Sequence, residues 1–212
     1  GALFMLELKE QVQNMGFTVA HIKTDSIKIP DATQEIIDFV FWFGKQYGYT
    51  FEHEHTYKRM ALVNKAVYIA QVEDGSWEAT GPMFAQPFVY KTLFSHEEMY
   101  EQDYAVTMEV KGAAIHLGEK FIGRIVQVYA SRTGEEMWRV TPDKKGYVTG
   151  SKGTLWKPIS EYSGIEDVDM DYYEGLVDKA IAAIREVGSI NELIDPFEPV
   201  NQPWLVGEPV PF

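Results

Sequence analysis

Cysteine is absent from these 212 residues, which excludes disulfides and every thiolate metal site. Long apolar runs are absent too. No stretch approaches the roughly 20 residues needed to span a bilayer, and no charged, apolar, small-residue pattern opens the chain as a signal peptide would. A soluble, intracellular protein with no membrane partner is expected. Positive charge is scarce, with 19 Lys and Arg against 32 Asp and Glu and a formal charge of −13. That balance argues against a generic nucleic-acid binder, whose footprint is a basic patch. Apolar and aromatic residues are plentiful, at 45% and 14%, enough for one good core or two small ones.

The charge is unevenly spread. Residues 161–212 hold 12 acids and 2 bases, whereas residues 111–160 hold 9 bases against 4 acids, a local balance of +5. The middle segment, with Lys144, Lys145 and Lys152, either faces phosphates or forms a solvated surface of mixed sign.

Apolar spacing predicts a helix over residues 2–15, ended by Gly16. Thr18–Ile22 and Ile27–Ile29 alternate as the arms of a short hairpin turned by Lys23-Thr24-Asp25-Ser26. Pro30 stops it. Asp31 with Gln34 reads as a capping box for a second helix, with Ile36, Ile37, Val40, Phe41 and Gly44 on its buried stripe and an end near Gly48. Strands are expected around Tyr49–Thr56, Met60–Val72 and Trp77–Thr80, with Asp74-Gly75 turning between the last two. Pro87–Phe94 reads as a short helix or an extended crossing. Further strands are expected at Tyr104–Val110, Ala113–Leu117, Phe121–Ala130, Glu136–Thr141 and Tyr147–Thr149. Met170–Val187 has the pattern of a helix capped by Asp169, and five prolines after Asp195 suggest an extended tail.

The fold class is therefore α+β, an antiparallel sheet with packed helices followed by a smaller β-rich unit with a C-terminal helix. The expected division is 1–95, 96–195 and a Pro-rich tail over 196–212, with the first break near 95–103.

Asp25 is the residue whose placement carries chemistry. A carboxylate at the tip of a tight hairpin is held on a rigid base with its oxygens in open space, which suits a Mg²⁺ ion that keeps waters and substrate phosphates in its shell. The same Thr-Asp-Ser at a hairpin also reads as an ordinary turn, since Asx and Ser/Thr side chains bond their own backbone. His53 and His55 lack a third zinc ligand placed by sequence. Gly150-Ser151-Lys152-Gly153-Thr154 departs from the phosphate-loop order and reads as a glycine-rich turn.

The succession of helix, strand, Lys23-Thr24-Asp25-Ser26, strand and helix resembles motif C of family B DNA polymerases, usually Asp-Thr-Asp-Ser on the palm hairpin. Lys23 replaces the first aspartate, and Asp25 matches the second, the family's metal ligand. Phe51-Glu52-His53-Glu54-His55-Thr56-Tyr57, followed by Leu62-Val63-Asn64-Lys65-Ala66-Val67-Tyr68, resembles the family's Leu-Glu-Phe-Glu-Lys-Val-Tyr strand and its Asn-Lys-Lys-Arg-Tyr element. Ala66 and Val67 stand where the family has two basic residues. Phe88–Phe94, Phe121–Arg124 and Val148–Gly153 resemble the phage-type subgroup, extending the resemblance over most of residues 1–185.

The resemblance implies a palm portion and a thumb-like region. It implies Asp25 and Glu54, or Glu52, as catalytic carboxylates, Asp25 as a Mg²⁺ ligand, and Thr24, Ser26, Lys65, Tyr68, Lys144, Lys145 and Lys152 at primer–template DNA. Template-directed transfer from a deoxynucleoside triphosphate, in a phage or prophage system of the bacterial cytoplasm, would follow. No counterpart of motif A, which supplies the other metal aspartate, is found, nor of the nucleotide-binding helix or an exonuclease. The chain is accordingly expected to be a carboxy-terminal piece, inactive without an upstream polymerase segment. The competing expectations are a non-catalytic module that grips DNA or docks a replication partner, and a prophage remnant.

Overall fold

The computed structural model describes residues 1–193; the proline-rich tail expected at 196–212 lies outside them. Helix α1, Ala2–Asn14, buries Phe4, Leu8 and Val12 at spacing four, with Met5 beside them on the same helical stripe. Gly16 adopts φ +89°, which a residue with a Cβ resists. Strands β1, His21–Ile22, and β2, Ile27–Lys28, form the expected hairpin, and α2, Gln34–Gln46, follows. The capping box expected from Asp31 and Gln34 does not form. Thr33 occupies the N-cap, Asp31 is left-handed at φ 52°, and the Gln34 amide donates to Asp38 one turn on. The stripe Ile36, Val40, Phe43 and Gly44 of α2 meets α1, with Phe4 stacked 5.5 Å from Phe43.

The expected strand at Tyr49–Thr56 is irregular chain. A strand needs a hydrogen-bonded neighbour. Here the three-stranded sheet begins only with β3, Tyr57–Asn64, and runs in the order β3-β4-β5 through β4, Val67–Val72, and β5, Trp77–Thr80. Phe51 is drawn instead into the core between α1 and α2. The expected Met60–Val72 run is two strands, broken at Lys65-Ala66, where the Asn64 side chain accepts from the Ala66 amide in an Asx turn. Between the two readings of Pro87–Phe94 the chain takes the helical one. Short α3, Pro82–Ala85, leads to α4, Pro87–Tyr90, and a π turn over Lys91–Ser95.

Two further antiparallel sheets follow. Strands β6, Val106–Glu109; β7, Ala114–Leu117; β8, Lys120–Gly123; β9, Ile125–Glu135; β10, Met137–Val140; β11, Lys145–Tyr147; and β12, Trp156–Pro158, pair as β12-β9-β6 and β11-β10-β7-β8. The single strand expected over Phe121–Ala130 divides at Gly123, φ 146°, and its halves enter different sheets. Strand β12 was not anticipated. Helix α5, Met170–Val187, has the expected bounds, with Asp169 at its N-cap but making no side-chain capping bond. A last turn, α6, covers Ile190–Leu193.

The class is α+β with antiparallel sheets and a C-terminal helix. One apolar cluster lies between α1, the hairpin and α2. The larger one joins β3 and β4 to Phe84, Phe88, Tyr129, Trp156 and Tyr173 and continues to Leu193. The expected break near 95–103 falls inside that larger cluster. Among the described residues no helix is long and apolar enough to cross a membrane.

Candidate functional site

Opposed residues of an antiparallel hairpin share a face, so the register His21↔Lys28 and Ile22↔Ile27 gives this one two unlike sides. Ile22 and Ile27 pack on the cluster of α1 and α2. His21 and Lys28 meet the β3-β4-β5 sheet: the His21 imidazole Nε2 lies 3.1 Å from the Lys65 carbonyl, and Lys28 sits over the rings of Tyr57 and Tyr68 at 4.8 and 5.0 Å. The turn is closed by the Lys23 amide donating to the Ser26 carbonyl at 2.9 Å. Held on both sides, the hairpin presents Asp25 exposed at its tip beside exposed Thr24, with Ser26 half-buried.

Behind the tip lies a group centred on Glu78, a residue for which no motif gives a signal. The hydroxyls of Tyr57 and Tyr68 both donate to the Glu78 carboxylate, and the Lys28 ammonium donates to Tyr57 at 3.2 Å. Burial works against the charge on Glu78. The two hydroxyls and Lys28 outweigh it, and the carboxyl is held below its ordinary value. Burial likewise pushes the Lys28 ammonium down, opposed by Glu78 and reinforced by the like charge of Lys23, which itself lies 5.7 Å from the Tyr68 ring. Burial and the bond to Glu78 raise the Tyr57 phenol. Both Glu78 oxygens are occupied by donors, so this carboxylate braces the sheet beneath the hairpin. Alternation in β5 identifies Glu78 only as one residue of a half-buried strand; its partners come from β3 and β4.

The other expected site residues divide into two groups. Glu52 and Glu54 are exposed on the irregular segment before β3 rather than on a strand, and the charge of Glu54 acts on Lys28 and Tyr57. Lys65 is exposed in the β3–β4 turn. Tyr68 is buried, its ring against the two hairpin lysines and its hydroxyl on Glu78. The structure thus gathers Asp25, Glu54, Lys65 and Tyr68 around one hairpin. Lys144, Lys145 and Lys152 belong elsewhere, about the four-stranded sheet. There Lys145 pairs with Glu119 at 3.1 Å, and exposed Lys144 lies in the β10–β11 turn. The glycine-rich turn at 150–154 is anchored by Ser151, whose buried hydroxyl bonds the Val148 and Met137 carbonyls.

Asp25 is the one carboxylate presented at the hairpin tip itself. An exposed carboxylate on a braced turn fits a hard cation that keeps most of its shell in water or phosphate oxygen. Among the described residues, no group of three or more His, Asp and Glu side chains stands together as a metal site. Asp25 therefore offers one ligand to such an ion. No protein-family model matches this chain, and no curated protein matches it.

Proposed function

We propose that this chain is the motif C portion of a phage-type family B DNA polymerase palm, with a thumb-like region after it, serving template-directed nucleotidyl transfer to a primer 3′-hydroxyl. The observation that carries the reading is the packing of the hairpin on the Lys65–Tyr68 element. The two stretches that resemble separate family motifs meet through the His21–Lys65 contact and through Lys23 and Lys28 against Tyr68.

In this reading Asp25 contributes an oxygen ligand to Mg²⁺ and Glu54 is the accessory carboxylate at the mouth of the site. Bound Mg²⁺ supplies Lewis-acid activation of the hydroxyl and neutralisation at the departing pyrophosphate. The chain's own residues hold that carboxylate outward and set a lysine-bearing turn, Lys65, beside the primer–template. Two divalent cations about 4 Å apart repel strongly and need a second shared aspartate, for which this sequence offers no match. The chain by itself is therefore expected to extend no primer.

The test has two arms. Titrating Mn²⁺ into the isotopically labelled chain should broaden amide signals of the 23–26 turn first, and Asp25→Ala should abolish that broadening. Duplex DNA should bind weakly, lose affinity as salt rises, and bind less well to Lys65→Glu on all sequences alike. Broadening spread over the acidic surface and unchanged by Asp25→Ala would overturn the assignment of Asp25. Duplex affinity indifferent to Lys65→Glu would overturn that of the turn.

A further inference from the structure

The four-stranded sheet β11-β10-β7-β8 has one buried face and one open face. Met137, Ile115 and Leu117 point into the core. Their neighbours point out, and the pairing sets Tyr147 opposite Trp138, Trp138 opposite His116 and His116 opposite Phe121. One row of rings thus crosses all four strands, about 14 Å long at the usual strand spacing. Trp138 and Tyr147 stack at 4.3 Å with 26° between their planes, and His116 meets Phe121 edge-on at 5.7 Å. The Lys145 ammonium lies 4.8 Å from the Trp138 ring and that of Lys152 lies 5.9 Å from Tyr147.

We propose that this face is a stacking platform for the unpaired bases of a single-stranded nucleic acid, with the lysines placed for its phosphates. The inference stands on the sheet alone and does not depend on the polymerase reading. Cross-strand pairing explains why neighbouring rings stabilise a sheet. It gives no reason to carry the row out to Phe121, which is 59% exposed at the edge, or to gather ammonium groups over the rings. Trp138 and Tyr147 cover one face of each other and are half-buried, so the ring surface open to a ligand is that of Phe121 and the outward edges of the row. Such surface beside cations binds any base through its π surface, which a duplex hides. The occupant is therefore single-stranded. The platform also sits within a stretch of this acidic chain whose balance is positive, +5 over residues 111–160. Glu119 and Glu136, engaged by Lys145 and the Tyr147 hydroxyl, lie among the lysines and keep the affinity modest.

Fluorescence anisotropy of the full chain with labelled oligo-dT, oligo-U, an abasic oligonucleotide and a blunt duplex, all of one length, tests this. Oligo-dT, oligo-U or both should bind about tenfold more tightly than either the abasic strand or the duplex, the preferred sugar identifying the natural strand. Trp138→Ala should weaken binding about tenfold and Trp138→Phe should restore most of it. Phe121→Ala, at an exposed edge position that leaves the core intact, should weaken it several-fold and carries the test if Trp138→Ala does not fold. Equal affinity for the abasic strand, affinity indifferent to Phe121→Ala, or no strand bound while Phe121→Ala abolishes self-association, would overturn the proposal; the last outcome would assign the face to a second copy of the chain.

Discussion

His21 and Lys65 stand 44 positions apart in the chain, and the imidazole of one lies 3.1 Å from the backbone carbonyl of the other. Through that contact the hairpin bearing Asp25 is referenced to the β3–β4 turn of the sheet rather than only to the helices around it.

His21→Ala should therefore loosen the hairpin. Loss of one hydrogen bond and a buried ring should destabilise the fold by about 2 kcal/mol in urea unfolding. Amides of residues 21–28 should exchange faster while those of α5 keep their protection relative to the global stability. Equal loss of protection everywhere would mean that the contact is not local to the hairpin.

Asp25 and Glu78 should behave oppositely. Asp25→Ala removes an exposed side chain and should leave stability within about 0.5 kcal/mol. Glu78→Ala strands the hydroxyls of Tyr57 and Tyr68 and should cost about 2–3 kcal/mol. Because the folded-state value of Glu78 lies below its ordinary 4.5, its contribution is complete above that pH and is lost as pH falls through the lowered value. The stability gap between wild type and Glu78→Ala should accordingly narrow only on the acid side.

Asp167 fastens β9 to the segment leading into α5. It accepts from Tyr129 at 2.7 Å, Ser131 at 2.8 Å, Thr133 at 2.6 Å and Lys157 at 3.0 Å. Burial by itself would raise its carboxyl, but the hydroxyls and the ammonium hold it well below the usual 3.8. Asp167→Asn should cost about 1.5–3 kcal/mol near neutrality. That difference should stay constant down to about pH 5 and shrink as pH falls below the ordinary carboxylate value. A gap that widens with acid would contradict the assignment.

Gly134 lies where β9 passes β12. A Cβ there would stand 2.6 Å from the carbonyl carbon and 2.7 Å from the amide nitrogen of Trp156, backbone atoms that cannot rotate away. Gly134→Ala should destabilise by about 2–4 kcal/mol and lower the thermal midpoint, whereas Gly146→Ala, with nothing within 4 Å, should have little effect.

Local order was written in the chain. Helical spacing placed α1, α2 and α5, turn chemistry placed the Lys23–Ser26 hairpin, and alternation placed most strands, because each depends on neighbours within a few residues. The exposure of Asp25 at a tip was legible for the same reason. Partnership was not. The Tyr49–Thr56 stretch alternates well enough to be a strand but has no sheet neighbour, and Phe51 goes to the helices instead. The Phe121–Ala130 run divides between two sheets at Gly123, since only the competing strands decide where a ladder ends. Glu78 acquires its meaning from Tyr57 and Tyr68, and the ring row from four separate strands. These depend on hydrogen-bond register and burial across long separations in sequence, quantities that no window along the chain contains.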